Sequence, residues 1–230
     1  MFVSIPSRKQ VRYPWATISL CITIWLVFYE FVYLHQHDLH QVWLSWGAIT
    51  GKWTTFHAAR TSIQDGSALH LFTALFLHLD FFHIFGNFIF LMLFGIPIER
   101  QLGAWRTLFL FLVGGAVANL VTIMLVGQPN RILIGASGAV SVIIGSYLAL
   151  LPQAELGIVL PLGLFFVFIR IPAPILIGVW VILQLVFVSI GPTFGQVAWP
   201  AHLSGFLFGL VYGLALRSFK AKKLRDQVSF

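Results

Sequence analysis

Hydrophobic residues occur in long runs along most of the chain, and polar residues are concentrated between these runs. A helix that crosses about 30 Å of hydrocarbon needs about 20 mostly apolar residues. Six runs come close to that length and predict membrane-spanning helices: residues 15–34, 81–98, 108–126, 132–151, 173–190 and 199–216. A seventh run, residues 157–169, is too short to cross as a helix and leads into Pro172 and Pro174, which indicates a re-entrant or interfacial loop.

The composition points to the same class of protein. Hydrophobic residues make up 59% of the chain and charged residues only 9%, whereas a soluble domain carries about 25% charged residues. So few charges cannot cover a water-facing surface, so we expect an all-α membrane protein. The single cysteine, Cys21, excludes an intramolecular disulfide and a cysteine-based metal site.

The basic residues lie at the ends of the apolar runs and do not alternate with aromatic residues, which argues against nucleic-acid binding despite the net charge of +7. If the N-terminus is cytoplasmic, only Lys52, Arg60 and Arg131 lie outside. The positive-inside rule therefore predicts that both termini are cytoplasmic. The residues then placed inside are Arg8, Lys9, Arg12, Arg100, Arg106, Arg170, Arg217, Lys220, Lys222, Lys223 and Arg225.

This orientation divides the chain into a cytoplasmic segment (1–14), a six-helix membrane domain (15–217) and a basic cytoplasmic tail (218–230). The first run is too long for a signal peptide and has no small-residue cleavage site, so we expect it to remain as a helix. The lack of a transit-like segment favours a bacterial inner or plasma membrane. Residues 35–80 form one outer loop rich in Trp and His, which predicts that it lies in the membrane interface.

Polar side chains within a membrane are costly and are therefore candidates for function. Ser137 lies in Gly135-Ala136-Ser137-Gly138, at a predicted depth of about 7 to 8 Å in the fourth helix. His202 lies in the first turn of the sixth helix, and His83 and Asn87 share one face near the outer end of the second. Because these three helices all have their outer ends on the same side, the four groups should converge in one layer.

These residue types suit acyl transfer, which needs a nucleophile, a base and donors for the developing oxyanion. Ser137 would supply the hydroxyl, His202 the base, and Asn87, His83 and the Ser137 N–H the oxyanion donors. No acidic residue is placed to orient His202, so a Ser-His dyad is expected. Each group also has a structural interpretation, because membrane serines commonly bond back to the helix and His-Asn pairs can join helices. Their common depth favours the functional interpretation.

Four motifs in this order resemble the rhomboid family of intramembrane serine proteases over residues 66–217. They are His78-x4-His83-x3-Asn87, Gly95-x3-Glu99-x3-Gly103, Gly135-Ala136-Ser137-Gly138 and Ala201-His202-x2-Gly205-x3-Gly209. The resemblance implies a six-transmembrane-helix rhomboid-like bundle with an interfacial outer loop, and a cavity open to the outside. It also implies that residues 157–169 form the inner loop between the fourth and fifth helices and that residues 191–196 form part of a cap over the site.

The resemblance further implies that Ser137 and His202 are catalytic and that His83 and Asn87 form the oxyanion hole. His78 is implied to be structural. Structural support is also expected from Gly135 and Gly138, which let a substrate carbonyl approach the backbone at Ser137, and from Gly205 and Gly209, which allow close packing of the sixth helix. The implied partners are the lipid bilayer and the transmembrane helices of substrate proteins, with no metal and no cofactor.

The sequence departs from the family pattern at two places. Leu69-His70 stands where many members have a Trp-Arg pair, and Ser141 stands where many have a tyrosine that stacks under the catalytic histidine. These departures leave open a rhomboid-like protein that binds membrane helices without cutting them. A small transporter is disfavoured, because the acidic residues Glu30 and Glu99 lie near helix ends.

Overall fold

The computed structural model describes residues 13–34, 39–50, 55–126, 131–162, 165–190 and 199–228. Over these ranges, five helices are long and apolar enough to cross a membrane: Trp15–Leu34, Phe81–Leu102, Ala104–Leu125, Ala173–Ile190 and Trp199–Phe219. A sixth apolar helix, Ser137–Leu150, has 14 residues. The chain is therefore an integral membrane protein with a helical-bundle fold, as predicted. The basic residues Arg8, Lys9 and Arg12 lie outside the described residues.

Short helices and strands connect the long helices of the chain. Single turns of π-helix at Glu30–Leu34, Leu91–Gly95 and Leu110–Gly114 continue three of the helices without a break. The elements are α1 (Trp15–Tyr29), α2 (Leu39–Trp46), β1 (Ala48–Ile49), α3 (Phe56–Gln64), α4 (His70–Thr73), α5 (Phe81–Phe90), α6 (Ile96–Leu102), α7 (Ala104–Phe109), α8 (Gly115–Val126), β2 (Ile132–Leu133), α9 (Ser137–Leu150), β3 (Glu155–Leu162), β4 (Phe165–Pro172), α10 (Ala173–Ile190) and α11 (Trp199–Val228).

Helix α9 forms the centre of the bundle, and every residue from Gly138 to Tyr147 is buried. Its closest neighbour is α11, because glycines on both helices allow the two backbones to touch. A methyl group on Gly209 would collide with the Val142 carbonyl, and one on Gly145 would collide with the Phe206 carbonyl. Small residues at such positions are what permits close helix packing within a membrane.

The predicted start of the fourth helix is wrong. Residues 132–133 are not helical but form β2, which pairs antiparallel with β1 in the outer loop, with Ala48 opposite Leu133. The chain then turns at Gly135, whose φ of 117° favours glycine, and the helix begins at Ser137. Ser137 is thus the first residue of its helix and does not lie one and a half turns below the helix start.

The described residues of the short apolar run, 157–162 and 165–169, are not helical. They lie in the antiparallel strands β3 and β4, whose register runs from Glu155 opposite Pro172 to Leu162 opposite Phe165. The second strand is rich in Phe, Val and Ile, which favour extended structure. The hairpin connects α9 to α10, the position expected of the inner loop.

The outer loop is attached to the bundle through backbone carbonyls. The Asn119 amide donates to the Leu71 carbonyl at 2.9 Å, and the Gly135 N–H donates to the Ala74 carbonyl at 2.8 Å. Within the loop itself, Thr73 Oγ1 donates to the Trp46 carbonyl at 2.6 Å. Leu69, at the first departure from the family pattern, is 64% exposed. The loop is therefore attached through Leu71 and Ala74, and the bond at Ala74 goes directly to the segment that leads into α9.

Glu99 joins the start of α1 to the end of the second spanning helix. Its carboxylate is buried and accepts hydrogen bonds from the Ala16 N–H at 2.9 Å, and from the Thr17 N–H and the Thr17 hydroxyl at 2.7 Å each. Pro14, at the cap position of α1, provides no side-chain cap. Glu99 thus satisfies N–H groups that would otherwise lack partners at this helix end.

Candidate active site

Ser137 lies at the N-terminus of α9, directly after the turn at Gly135. In this position its backbone N–H has no partner within the helix, and it lies at the positive end of the helix dipole. The Ser141 hydroxyl donates to the Ser137 carbonyl at 2.7 Å, one turn further along. Ser141, the second departure from the rhomboid pattern, is therefore bonded to the backbone of its own helix.

His202 lies in the first turn of α11, as predicted, and this turn is packed against the first turn of α9. A methyl group on Gly138 would lie 3.5 Å from Ala201 Cβ and 3.6 Å from the Ala201 carbonyl oxygen. One on Gly205 would collide with the Gly138 carbonyl. The residues that follow Ser137 and precede His202 are thus in contact, and the N-terminal ends of the two helices lie side by side.

The His202 ring is enclosed by residues of α10 and α11. Its Nδ1 lies 2.8 Å from Gln184 Oε1, so Nδ1–H donates to this carbonyl oxygen and Nε2 keeps its lone pair. Trp180 stacks on the ring, with centroids 6.3 Å apart and planes inclined by 29°, and Trp199 meets it edge-on at 5.7 Å. Nε2 is buried and has no hydrogen-bond partner in the part of the chain that the structure describes.

His83 lies in the first turn of α5, whose start is capped by Asp80: the His83 N–H donates to Asp80 Oδ1 at 2.8 Å. The Leu79 N–H donates to His83 Nδ1 at 3.4 Å, which leaves the ring proton on Nε2. The Nε2 edge faces Gly135, where an added methyl group would lie 2.7 Å from both Cε1 and Nε2. The N–H of this ring is thus held next to the segment that precedes Ser137.

Asn87 is buried one turn further along α5, on the same face as His83. Its Nδ2 donates to the His83 carbonyl at 3.0 Å. This bond uses one of the two amide protons, and no acceptor among the described residues takes the other.

His78 joins the loop before α5 to the segment before α9. Its Nε2 accepts from the Ala136 N–H at 3.4 Å, and its Nδ1–H donates to the Phe76 carbonyl at 3.3 Å. Burial, and then the neighbouring His83, lower the pKa of His78 from 6.5 to about 3. The His78 ring is therefore neutral. A neutral ring is also required by the two hydrogen bonds, because only a neutral imidazole can donate from one nitrogen and accept at the other.

Sequence reasoning missed Gln184 and Trp180, the two residues of α10 that contact His202. A signal for Gln184 was present, because it is one of two polar residues in an otherwise apolar helix, the other being Ser189. The sequence offered no acidic residue to orient His202, and the group that contacts its Nδ1 is indeed not an acid but the neutral amide of Gln184.

The predicted cap at residues 191–196 lies outside the described residues. Within the described ranges, no three His, Cys, Asp or Glu residues are grouped to hold a metal ion.

The amino-acid sequence is similar to that of known proteins. The family model of the Rhomboid domain matches residues 65–219. RHOMBOID-like protein 5 of Arabidopsis thaliana is 31% identical over 90 residues, 39% of this chain and 29% of the plant protein. YdcA of Bacillus subtilis is 30% identical over 139 residues, 59% of this chain and 62% of that protein. Rhomboid protease GlpG of Haemophilus influenzae is 29% identical over 152 residues, 65% of this chain and 70% of that protein. The chain thus spans less than two thirds of the plant and Bacillus relatives.

Proposed function

The chain belongs to the rhomboid family, and we propose that it is a serine endopeptidase that hydrolyses peptide bonds in or near the transmembrane segments of other membrane proteins. The observation that carries this proposal is the pairing of two helix ends. Ser137 begins α9, and His202 lies in the adjoining first turn of α11 with a buried Nε2 that has no partner among the described residues. A buried imidazole nitrogen with a free lone pair is suited to accept the proton of a serine hydroxyl.

In the first step, His202 Nε2 takes the proton from Ser137 Oγ while Oγ attacks the carbonyl carbon of the scissile bond. The carbonyl π electrons move to its oxygen and form the tetrahedral oxyanion. Collapse of this intermediate breaks the C–N bond, and His202 gives its proton to the departing amine. The acyl group remains esterified to Ser137.

The oxyanion would be held by the Ser137 N–H, the Asn87 amide and the His83 Nε2–H. Three observations support these donors: the helix-start position of Ser137, the unused proton of the Asn87 amide, and the tautomer that the Leu79 N–H imposes on His83. Preorganised donors of this kind stabilise charge strongly where water is excluded.

In the second step, His202 deprotonates a water molecule, which attacks the ester carbonyl and forms a second tetrahedral intermediate. Its collapse releases the carboxylic acid and returns the proton to Ser137. Substrate helices weakened by Gly or Pro should be preferred, because an intact helix uses its carbonyls in internal hydrogen bonds. Small residues should be preferred beside the cut.

The proposal extends to the arrangement in the membrane. Residues 15–217 would form the protease domain, with both termini cytoplasmic in a bacterial inner or plasma membrane. The excess of basic residues at the inner ends of the helices supports this orientation. Reporter fusions at residues 14 and 218 test it, and an external location for either terminus would contradict it.

Cleavage of a single-span substrate with a Gly-containing outer end, by the purified protein in detergent, tests the proposed activity. We expect Ser137→Ala and His202→Ala each to lower kcat by several orders of magnitude, since both groups act as one unit. Ser189→Ala is the matched control, because that serine bonds to the Leu185 carbonyl on an exposed part of α10. Cleavage that survives Ser137→Ala would refute the assignment.

Labelling of Ser137 by a fluorophosphonate separates this proposal from a rhomboid-like protein that binds helices without cutting them. Ser141, in place of the stacking tyrosine, is the observation that favours this second function. A folded protein that neither cleaves the substrate nor is labelled would support it.

A further inference from the structure

We propose that Gln184 and Trp180 of α10 are positioning residues that hold His202 as a base, a role that rests on the proposed protease function. The two residues lie four positions apart and therefore on one face of α10. Gln184 contacts the Nδ1 edge of His202, and Trp180 covers a face of its ring.

Gln184 would act by fixing the tautomer of His202. A neutral imidazole carries its proton on either nitrogen, and only the Nδ1–H form leaves Nε2 free to accept from Ser137. The Gln184 carbonyl oxygen, 2.8 Å from Nδ1, favours that form because it can only accept. It would also stabilise the imidazolium that forms during the reaction, without placing a second charge in the membrane.

Trp180 would fix the plane of the ring. It stacks at 29° on His202, and Trp199 approaches edge-on at 90°, so rotation of the imidazole out of its plane is blocked by both indoles. The tyrosine that stacks in many relatives is absent here, and Ser141 in its place bonds to its own helix. The stacking group therefore comes from α10 instead of from α9.

The burial of Gln184 supports this role independently. Most of α10 faces outward: the residues on either side of Gln184, Leu183 and Leu185, are 46% and 51% exposed, whereas Gln184 is 4% exposed. An amide in such an apolar helix is costly unless it is hydrogen-bonded. The partner of its carbonyl oxygen is His202, and a second aromatic stack, Phe187 on Trp199 at 4.5 Å, holds the same two helices together.

The first test compares Gln184→Met with Gln184→Glu. Methionine keeps the length of the side chain but has no strong acceptor, whereas glutamate keeps an acceptor oxygen. We expect Gln184→Met to lower kcat about ten- to a hundred-fold, with KM changed less than two-fold, because general-base catalysis depends on tautomer and geometry. Gln184→Glu should retain kcat within about five-fold of the parent. Leu185→Met is the matched control for a methionine on α10 and should leave kcat unchanged.

The second test reads the tautomer directly. In protein labelled with 15N-histidine, the His202 signals are identified by their loss in His202→Ala. We expect the parent to show Nδ1–H for His202 and Gln184→Met to lose that preference, a change that a merely structural role would not produce.

The third test concerns Trp180. We expect Trp180→Leu to lower kcat about ten-fold, whereas Trp180→Phe should keep most of the parental kcat because an aromatic ring face is kept.

The outcomes separate this inference from the proposed function. If the parent cleaves its substrate while Gln184→Met keeps both the parental kcat and the parental tautomer, the inference is wrong and the protease function stands. If the parent neither cleaves nor reacts with a fluorophosphonate, the protease function fails, whereas the Nδ1–H tautomer still reports the contact. Unfolding temperatures measured in detergent identify any variant whose kcat falls only because the protein is less stably folded.

Discussion

The imidazole of His83 packs directly against Gly135, two residues before Ser137. A methyl group on Gly135 would lie 2.7 Å from His83 Cε1 and Nε2, closer than carbon atoms approach in real structures. The φ of 117° at the same residue also favours glycine. Gly135 therefore serves both the turn that starts α9 and the approach of a candidate oxyanion donor to Ser137.

We expect Gly135→Ala to lower kcat at least ten-fold, because the methyl group must displace the His83 ring. Gly66→Ala is the control for backbone strain alone, since Gly66 has a φ of 79° but open space around its Cβ position. That control should lose some stability, about 1–2 kcal/mol, and keep its kcat. Equal kcat in the parent and in Gly135→Ala would show that the contact with His83 does not matter for the reaction.

Asn87→Ala should lower kcat by about 10² to 10³, the loss measured when one oxyanion donor is removed, with a small change in KM. Asn119→Ala is a matched control, because Asn119 is also a buried amide that donates to a backbone carbonyl, that of Leu71. The control should lower the unfolding temperature without lowering the kcat of the folded protein. A kcat loss that is no larger in Asn87→Ala than in Asn119→Ala would contradict the oxyanion role.

Gly209→Ala should destabilise the bundle by more than about 2 kcal/mol, because the added methyl group collides with the Val142 carbonyl and forces α9 and α11 apart. Gly178→Ala on α10 adds a methyl group where no atom lies within 4 Å and should change stability little. Thermal unfolding in detergent measures both variants. Similar unfolding temperatures for the two would refute the close contact of the helices.

The low pKa of His78 predicts a loss of stability in acid. In the folded protein its pKa is about 3, whereas the ordinary value, which we take for the unfolded chain, is 6.5. Burial and the neighbouring His83 lower the pKa, and the Phe76 carbonyl and Asp80 oppose this shift. Between these values the unfolded chain binds one more proton, so stability is present above pH 6.5 and falls by about 1.4 kcal/mol per pH unit below it. We expect the unfolding temperature of His78→Gln to depend less steeply on pH between 5 and 7. An unchanged slope would mean that His78 is not held neutral by the fold.

The class of the protein and the location of most of its helices could be predicted from the amino-acid sequence alone. Runs such as 15–34 and 173–190 are recovered at their predicted ends, because length and apolar composition alone decide whether a segment can cross a bilayer. Spacing also placed His83 and Asn87 on one face of α5 and His202 in the first turn of α11, since these are local properties of a helix.

The residue at which α9 begins and the surroundings of His202 depend on contacts between distant parts of the chain. Residues 132–133 are as apolar as the helix that follows, and it is pairing with β1, far away in sequence, that makes them a strand. Gln184 and Trp180 reach His202 from another helix, at a separation of 18 residues or more. Such contacts depend on how helices are arranged around one another, which periodicity within one helix does not specify.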